Sequence, residues 1–174
     1  MTIPLNRTAF SGTLKRYYVL TKPGIIRGNV IIVIAGYLFG AAGSPSWKTL
    51  LGLVVGSSLI IASACVYNNI LDRNIDKQMS RTKNRALVEN TISVLNAAIF
   101  GTVLLVLATL VLFFTTNILA LVIALIGHVA YVVLYTFTKR VTVHGTLLGT
   151  ISGSTPPVIG YVTATGALDS TALL

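Results

Sequence analysis

Five stretches of about 20 mostly apolar residues, the length that crosses the hydrocarbon core of a bilayer, divide this chain and leave it few possible folds. They run near Ile25 to Ala42, Leu50 to Leu71, Ser93 to Thr115, Ile118 to Thr138 and His144 to Thr165. A backbone in lipid must satisfy its own N–H and C=O groups, and segments of this length do so as helices. The expected fold is therefore an all-α polytopic membrane protein with about five transmembrane helices. Charge supports this: 10% of the 174 residues are charged and 54% are hydrophobic, against about 25% charged in soluble domains. Three parts are expected: a cytoplasmic or interfacial segment at 1–24, the bundle at 25–166, and at 167–174 the opening of a sixth span, as if the chain were the first part of a longer protein. Asp169 or Ser170 would cap that opening turn.

The net charge of +9 would suggest nucleic acid if it formed a stripe on a soluble fold. Here the basic residues gather at the ends of apolar segments, so they read as topology signals beside membrane lipid, with no nucleic acid partner. Of the thirteen Lys and Arg, twelve fall on the side shared by the N-terminus and the second and fourth loops; Lys48 alone lies opposite. That side is cytoplasmic by the positive-inside rule, with the N-terminus inside. The first residues lack a compact apolar run before a small-residue cleavage site, so no removable signal peptide is expected. Leu14 to Leu20 mixes Lys15, Arg16, Tyr17 and Tyr18, a composition suited to the headgroup layer. The single cysteine, Cys65, reads as a packing residue.

Small residues recur at four-residue spacing: Gly36 with Gly40, Gly52 with Gly56, and Gly145, Gly149 and Gly153. Such stripes let helix backbones approach closely in lipid. Pro156 and Pro157 interrupt the fifth window and should kink or break its helix, as a packing feature or as the wall of a cavity.

Chemistry concentrates in one polar block, Asn68 to Leu87 (NNILDRNIDKQMSRTKNRAL), where the second span surfaces. Asn68, Asp72 and Asp76 are four residues apart, so on a helix each turns by about 40° from the last and the three share one face over roughly 12 Å. Ionised groups this close to hydrocarbon need partners. Arg73 and Lys77 could provide them as simple salt bridges. Alternatively the carboxylates bind Mg²⁺, a hard cation that takes one or two carboxylates together with substrate phosphates. Arg81, Lys83 and Arg85 follow at once and offer charge for the phosphates. A diphosphate held at the interface, with its hydrocarbon tail between helices, suits this arrangement.

This block resembles the N-x-x-x-D-x-x-x-D signature of the intramembrane prenyltransferases, the UbiA superfamily. Its extension M-x-R-T-x-x-R resembles the branch of protohaem IX farnesyltransferases, or haem O synthases. TKPGIIRGN at Thr21 to Asn29, YTFTKR at Tyr135 to Arg140 and GTISGSTPPVIGY at Gly149 to Tyr161 agree with that branch in the same order. The resemblance implies the first part of a nine-helix bundle in a bacterial inner membrane that joins the farnesyl group of farnesyl diphosphate to a vinyl group of haem b. It implies Mg²⁺ as cofactor, held with diphosphate by Asn68, Asp72 and Asp76, and gives Arg81 and Arg85 to the diphosphate with Lys83 beside them. Lys139 and Arg140 match a second basic patch. Ala86 stands where the branch commonly has proline, and the second acidic motif of the family does not occur in these 174 residues. His128 and His144 are candidate haem ligands on residue type alone, imidazole being a common one. Competing readings are a prenyltransferase of quinone or chlorophyll pathways, and a transport or assembly protein whose acidic helix end pairs with its basic loop.

Overall fold

The protein is described from a computed structural model that covers residues 7–141 and 145–173, with side chains at 12–138, 150 and 152–172. Among the described residues seven α-helices carry the fold: α1 Arg7–Leu20, α2 Pro23–Gly40, α3 Trp47–Asp76, α4 Val94–Thr115, α5 Ile118–Val129, α6 Thr136–Val141 and α7 Gly145–Thr165. A π-helical turn at Ala130–Tyr135 joins α5 to α6, and a 3-10 turn closes at Ser170–Leu173. Among the described residues there is no β-strand.

Among the described residues, four segments are long and apolar enough to cross a membrane: α2, α3, α4 and the run Ile118–Thr138. The fifth expected span, α7, has comparable length but carries Ser, Thr, Gly and two prolines, and it packs along α2 and α5. Exposed Leu95, Val103, Phe113 and Phe114 on α4, by contrast, form an apolar outer surface of the kind a bilayer covers.

Local chemistry sets the helix ends. Ser46 and Ser93 have extended backbones and cap α3 and α4 by accepting from Thr49 N and Asn96 N at 3.4 and 3.1 Å. Asn117 does two things: its Oδ1 accepts from Ala120 N at 2.9 Å to cap α5, and its Nδ2 donates to Val162 O at 2.8 Å on α7. Asn117→Ala removes both bonds, so we expect a loss of about 1–2 kcal/mol in unfolding free energy, read from denaturation in detergent against a neighbouring surface substitution.

The glycine stripes contribute unequally to packing. On α2, Gly36 lies against the carbonyl of Pro157 and Gly40 against Tyr161 and Ala164; on α3, Gly52 and Gly56 face Thr115 and Leu112 of α4. Gly153 meets nothing within 4 Å and instead lines a cavity. Gly160 makes the tightest further approach, to the Val33 carbonyl and Tyr37 N on α2. Pro156 and Pro157 do not break α7, which runs through both. Because proline has no N–H for the carbonyl four residues earlier, Ser152 and Gly153 lose that donor, and both line the cavity together with Pro156. Near residue 170, Asp169 caps a short 3-10 turn through Ala172 N at 3.1 Å and receives Tyr161 OH at 3.0 Å.

Candidate functional site

Asn68, Asp72 and Asp76 stand on one buried face at the end of α3, with 2%, 6% and 5% exposure. Burying two carboxylates one turn apart is costly unless cations attend them. Arg85 NH1 contacts Asp76 Oδ2 at 2.5 Å, and Lys22 Nζ donates to Asn68 Oδ1 at 2.7 Å. The face draws positive charge from two separate parts of the chain.

The salt bridges expected from Arg73 and Lys77 take a different form. Arg73 donates to Leu87 O at 2.9 Å and to Asn90 Oδ1 at 2.5 Å, while Lys77 is exposed. Arg73 therefore pins the loop 77–93 onto α3, and Thr82 Oγ1 adds a bond to Asp76 O at 3.0 Å. Buried Leu87 and Ile92 pack with Leu20, Val66 and Ala97 beneath it. The basic tract is a folded cap on the acidic face, not a solvated tail.

The π turn completes the surroundings. A π turn inserts one extra residue into the helix and often marks a functional position. Here Thr136, fully buried, donates to Tyr131 O at 3.1 Å and accepts from Asn68 Nδ2 at 3.0 Å. The rings of Tyr131 and Tyr135 stack at 5.5 Å. Both rings line a cavity of about 700 Å³ between α2, α3, α5 and α7, whose apolar wall includes Ile60, Ile61, Ala124 and Ile159. Cys65, one turn before Asn69, lines it as well, while Asn68, Asp72 and Asp76 are not among its lining residues.

A second cavity, of about 580 Å³, lies between α1 and the loop 77–93 and is lined by Lys15, Arg16, Lys22, Arg81 and Arg85. Arg81 and Arg85 thus come together, and Arg85 also reaches Asp76. Lys83 is exposed and lines neither cavity. His128 lines the apolar cavity, its Nδ1 3.4 Å from Ile60 O and its ring edge-on to Tyr67 at 6.1 Å. Lys139 and Arg140 lie in α6, but their side chains fall outside the described residues, as does His144 entirely. Sequence reasoning missed Lys22, although it quoted the TKPG stretch. The available signal was a basic residue immediately before the proline that opens α2.

Among the described residues no group of three or more His, Cys, Asp and Glu gathers. Two buried carboxylates with a carboxamide are not a complete protein cage, but they suit Mg²⁺, which uses one or two carboxylates together with phosphate oxygens.

An all-helical membrane fold with an acidic helix end, a basic cap and an apolar cavity defines a class, and comparison agrees: residues 29–174 match the UbiA prenyltransferase family, to which the chain belongs. Within it, the chain is 47% identical to a protoheme IX farnesyltransferase of Francisella tularensis subsp. novicida over 162 residues, 91% of this chain and 57% of that one. A protoheme IX farnesyltransferase of Edwardsiella ictaluri is 46% identical over 162 residues, 92% of this chain and 55% of that one. The chain spans a little over half the length of these curated relatives. A solved structure from work on digeranylgeranylglyceryl phosphate synthase superposes with a TM-score of 0.78 at 26% identity, over 86% of this chain and 53% of that one.

Proposed function

We propose that this chain carries the diphosphate-activating half of a protohaem IX farnesyltransferase, which transfers the farnesyl group of farnesyl diphosphate to a vinyl group of haem b. The observation that carries the reading is the buried Asn68, Asp72 and Asp76 face with cationic side chains docked on it, in a chain 47% identical to proteins of that name. Asp72 and Asp76 would hold Mg²⁺ with Asn68 beside them, and the ion would supply positive charge to the diphosphate. Arg81 and Arg85 add charge to the same anion from the basic cavity, with Lys83 close to them in sequence and Lys139 and Arg140 a second basic patch. When the allylic C–O bond breaks, its electron pair leaves with the diphosphate, and preorganised cations favour that separation. The apolar cavity, with Ile60, Ile61, Ala124 and Ile159 on its wall, suits the farnesyl tail. Excluding water there preserves the allylic cation until the vinyl π electrons form the new C–C bond, and the positive charge this leaves on the other vinyl carbon is then discharged by addition of water with loss of a proton. His128, on the wall of that cavity, is the candidate to meet the haem. The distribution of twelve basic residues against one supports an inner-membrane setting with the N-terminus cytoplasmic.

The test uses two proteins: the chain itself, and the chain continued by the C-terminal part of the Francisella relative. The fusion should convert haem b to farnesylated haem with farnesyl diphosphate only when Mg²⁺ is present, and the chain alone should turn over negligibly. Prenylation of a quinone precursor in place of haem b, or conversion unaffected by chelator, would overturn the proposal.

A further inference from the structure

We infer that Lys22 is a built-in counterion of the acidic face: before loading, its ammonium holds the cation position at Asn68, and on loading it leaves that oxygen for the diphosphate. The inference rests on the metal and diphosphate reading above and assigns a new residue to it.

The geometry begins at one atom. Lys22 Nζ lies 2.7 Å from Asn68 Oδ1, across 46 residues of sequence. The other end of the carboxamide is committed, since Asn68 Nδ2 donates to Thr136 Oγ1 and the Thr136 hydroxyl donates onward to Tyr131 O. This chain fixes which end of Asn68 faces Lys22. The carboxamide oxygen, its atom suited to a hard metal, is the one the ammonium occupies. Two cations on one oxygen repel, so a divalent ion competes with Lys22 for Asn68 Oδ1.

Lys22 has somewhere to go. It also lines the basic cavity with Arg81 and Arg85, and a four-carbon stem carries its charge through several rotamers. Its backbone points to selection for the side chain: φ is 54° and ψ 68°, a left-handed conformation that glycine adopts at no steric cost. The turn between α1 and α2 holds it there, with Thr21 N and Lys22 N bonding Tyr18 O and Val19 O at 3.2 and 3.0 Å. Non-glycine residues kept in that region cluster at functional sites.

A lysine that merely satisfied Asn68 would behave differently from a counterion, and Lys22→Gln separates the two because it keeps an N–H donor and removes the charge. In the purified chain in detergent, Mn²⁺ affinity without diphosphate, followed by electron paramagnetic resonance, should rise at least about fivefold, the low end of typical site coupling. Affinity for inorganic diphosphate in the presence of Mn²⁺ should fall by a similar factor. Both affinities falling together, or neither moving, would overturn the counterion role. A second measurement needs no variant: saturating wild-type protein with Mn²⁺ alone should increase acylation of Lys22 by a small amine-reactive activated ester, read by peptide mapping, and unchanged labelling counts against the inference. Wild-type protein that binds no Mn²⁺ sinks the metal reading beneath it as well.

Discussion

Replacing Asp72 with asparagine is expected to lower farnesyl transfer by at least about 10²–10³-fold while leaving the fold intact. Asparagine has nearly the same shape and keeps an oxygen at the same place, so the change at the buried end of α3 is chiefly one of charge. The lost charge is what a divalent ion needs beside a departing diphosphate, where metal assistance contributes several kcal/mol of transition-state stabilisation and each factor of ten corresponds to about 1.4 kcal/mol. The measurement is initial rate of haem farnesylation by the fusion protein, with thermal unfolding followed in parallel. The competing view, a transport or assembly protein whose acids only pair with the basic loop, predicts the opposite order. Breaking a buried ion pair by removing one partner typically costs about 3–5 kcal/mol, so stability would fall first. Asp76→Asn serves as the internal comparison. Asp76 contacts Arg85 directly, so its variant should lose both rate and some stability, and a Asp72 variant that is unstable yet fully active would refute the catalytic assignment.

How far these residues were legible follows from how far apart their causes lie in sequence. The spans at Pro23–Gly40, Trp47–Asp76 and Val94–Thr115 could be read because lipid demands about 20 apolar residues whatever the partner helices are. The shared face of Asn68, Asp72 and Asp76 could be read because helical period alone sets it. The π turn at Ala130–Tyr135 could not, since one additional residue in a turn leaves the apolar composition unchanged. Nor could the Lys22 bond to Asn68, which depends on how α2 docks against α3. The loop 77–93 was legible in its charge but not in its packing: that Leu87 and Ile92 are buried and Arg73 is turned inward to hold its backbone depends on contacts distant in sequence. The effect of Pro156 and Pro157 was also half visible. Two missing N–H groups are certain from sequence, but whether the helix breaks depends on what packs against it, and α2 packs along this one.

That α2 and α7 contact is where the second large effect is expected. A Cβ added at Gly160 would strike Val33 O and Tyr37 N, and one added at Gly36 would strike the carbonyl of Pro157. These are backbone atoms, which cannot rotate aside as a side-chain tip can, so either alanine forces the helices apart. Overpacking of this kind costs about 1–3 kcal/mol, and here the separation also loosens Val33, Ile159 and Val162 in the core between the helices. Gly160→Ala should therefore destabilise the protein by about 3 kcal/mol, measured by denaturation in detergent, whereas Gly153→Ala, with nothing within 4 Å of its added carbon, should stay within about 0.5 kcal/mol. The double variant discriminates further. Once the helices have moved apart for Gly160→Ala, the clash at Gly36 is already relieved, so the two costs should sum to clearly more than the double variant shows. Strict additivity, the expectation for independent sites more than about 7–10 Å apart, would mean that the two glycines do not report on a single close approach. Because Pro156, Ile159 and Val33 also line the apolar cavity, the same separation should widen it, and Gly160→Ala should weaken binding of a prenyl diphosphate even at temperatures where the variant remains folded.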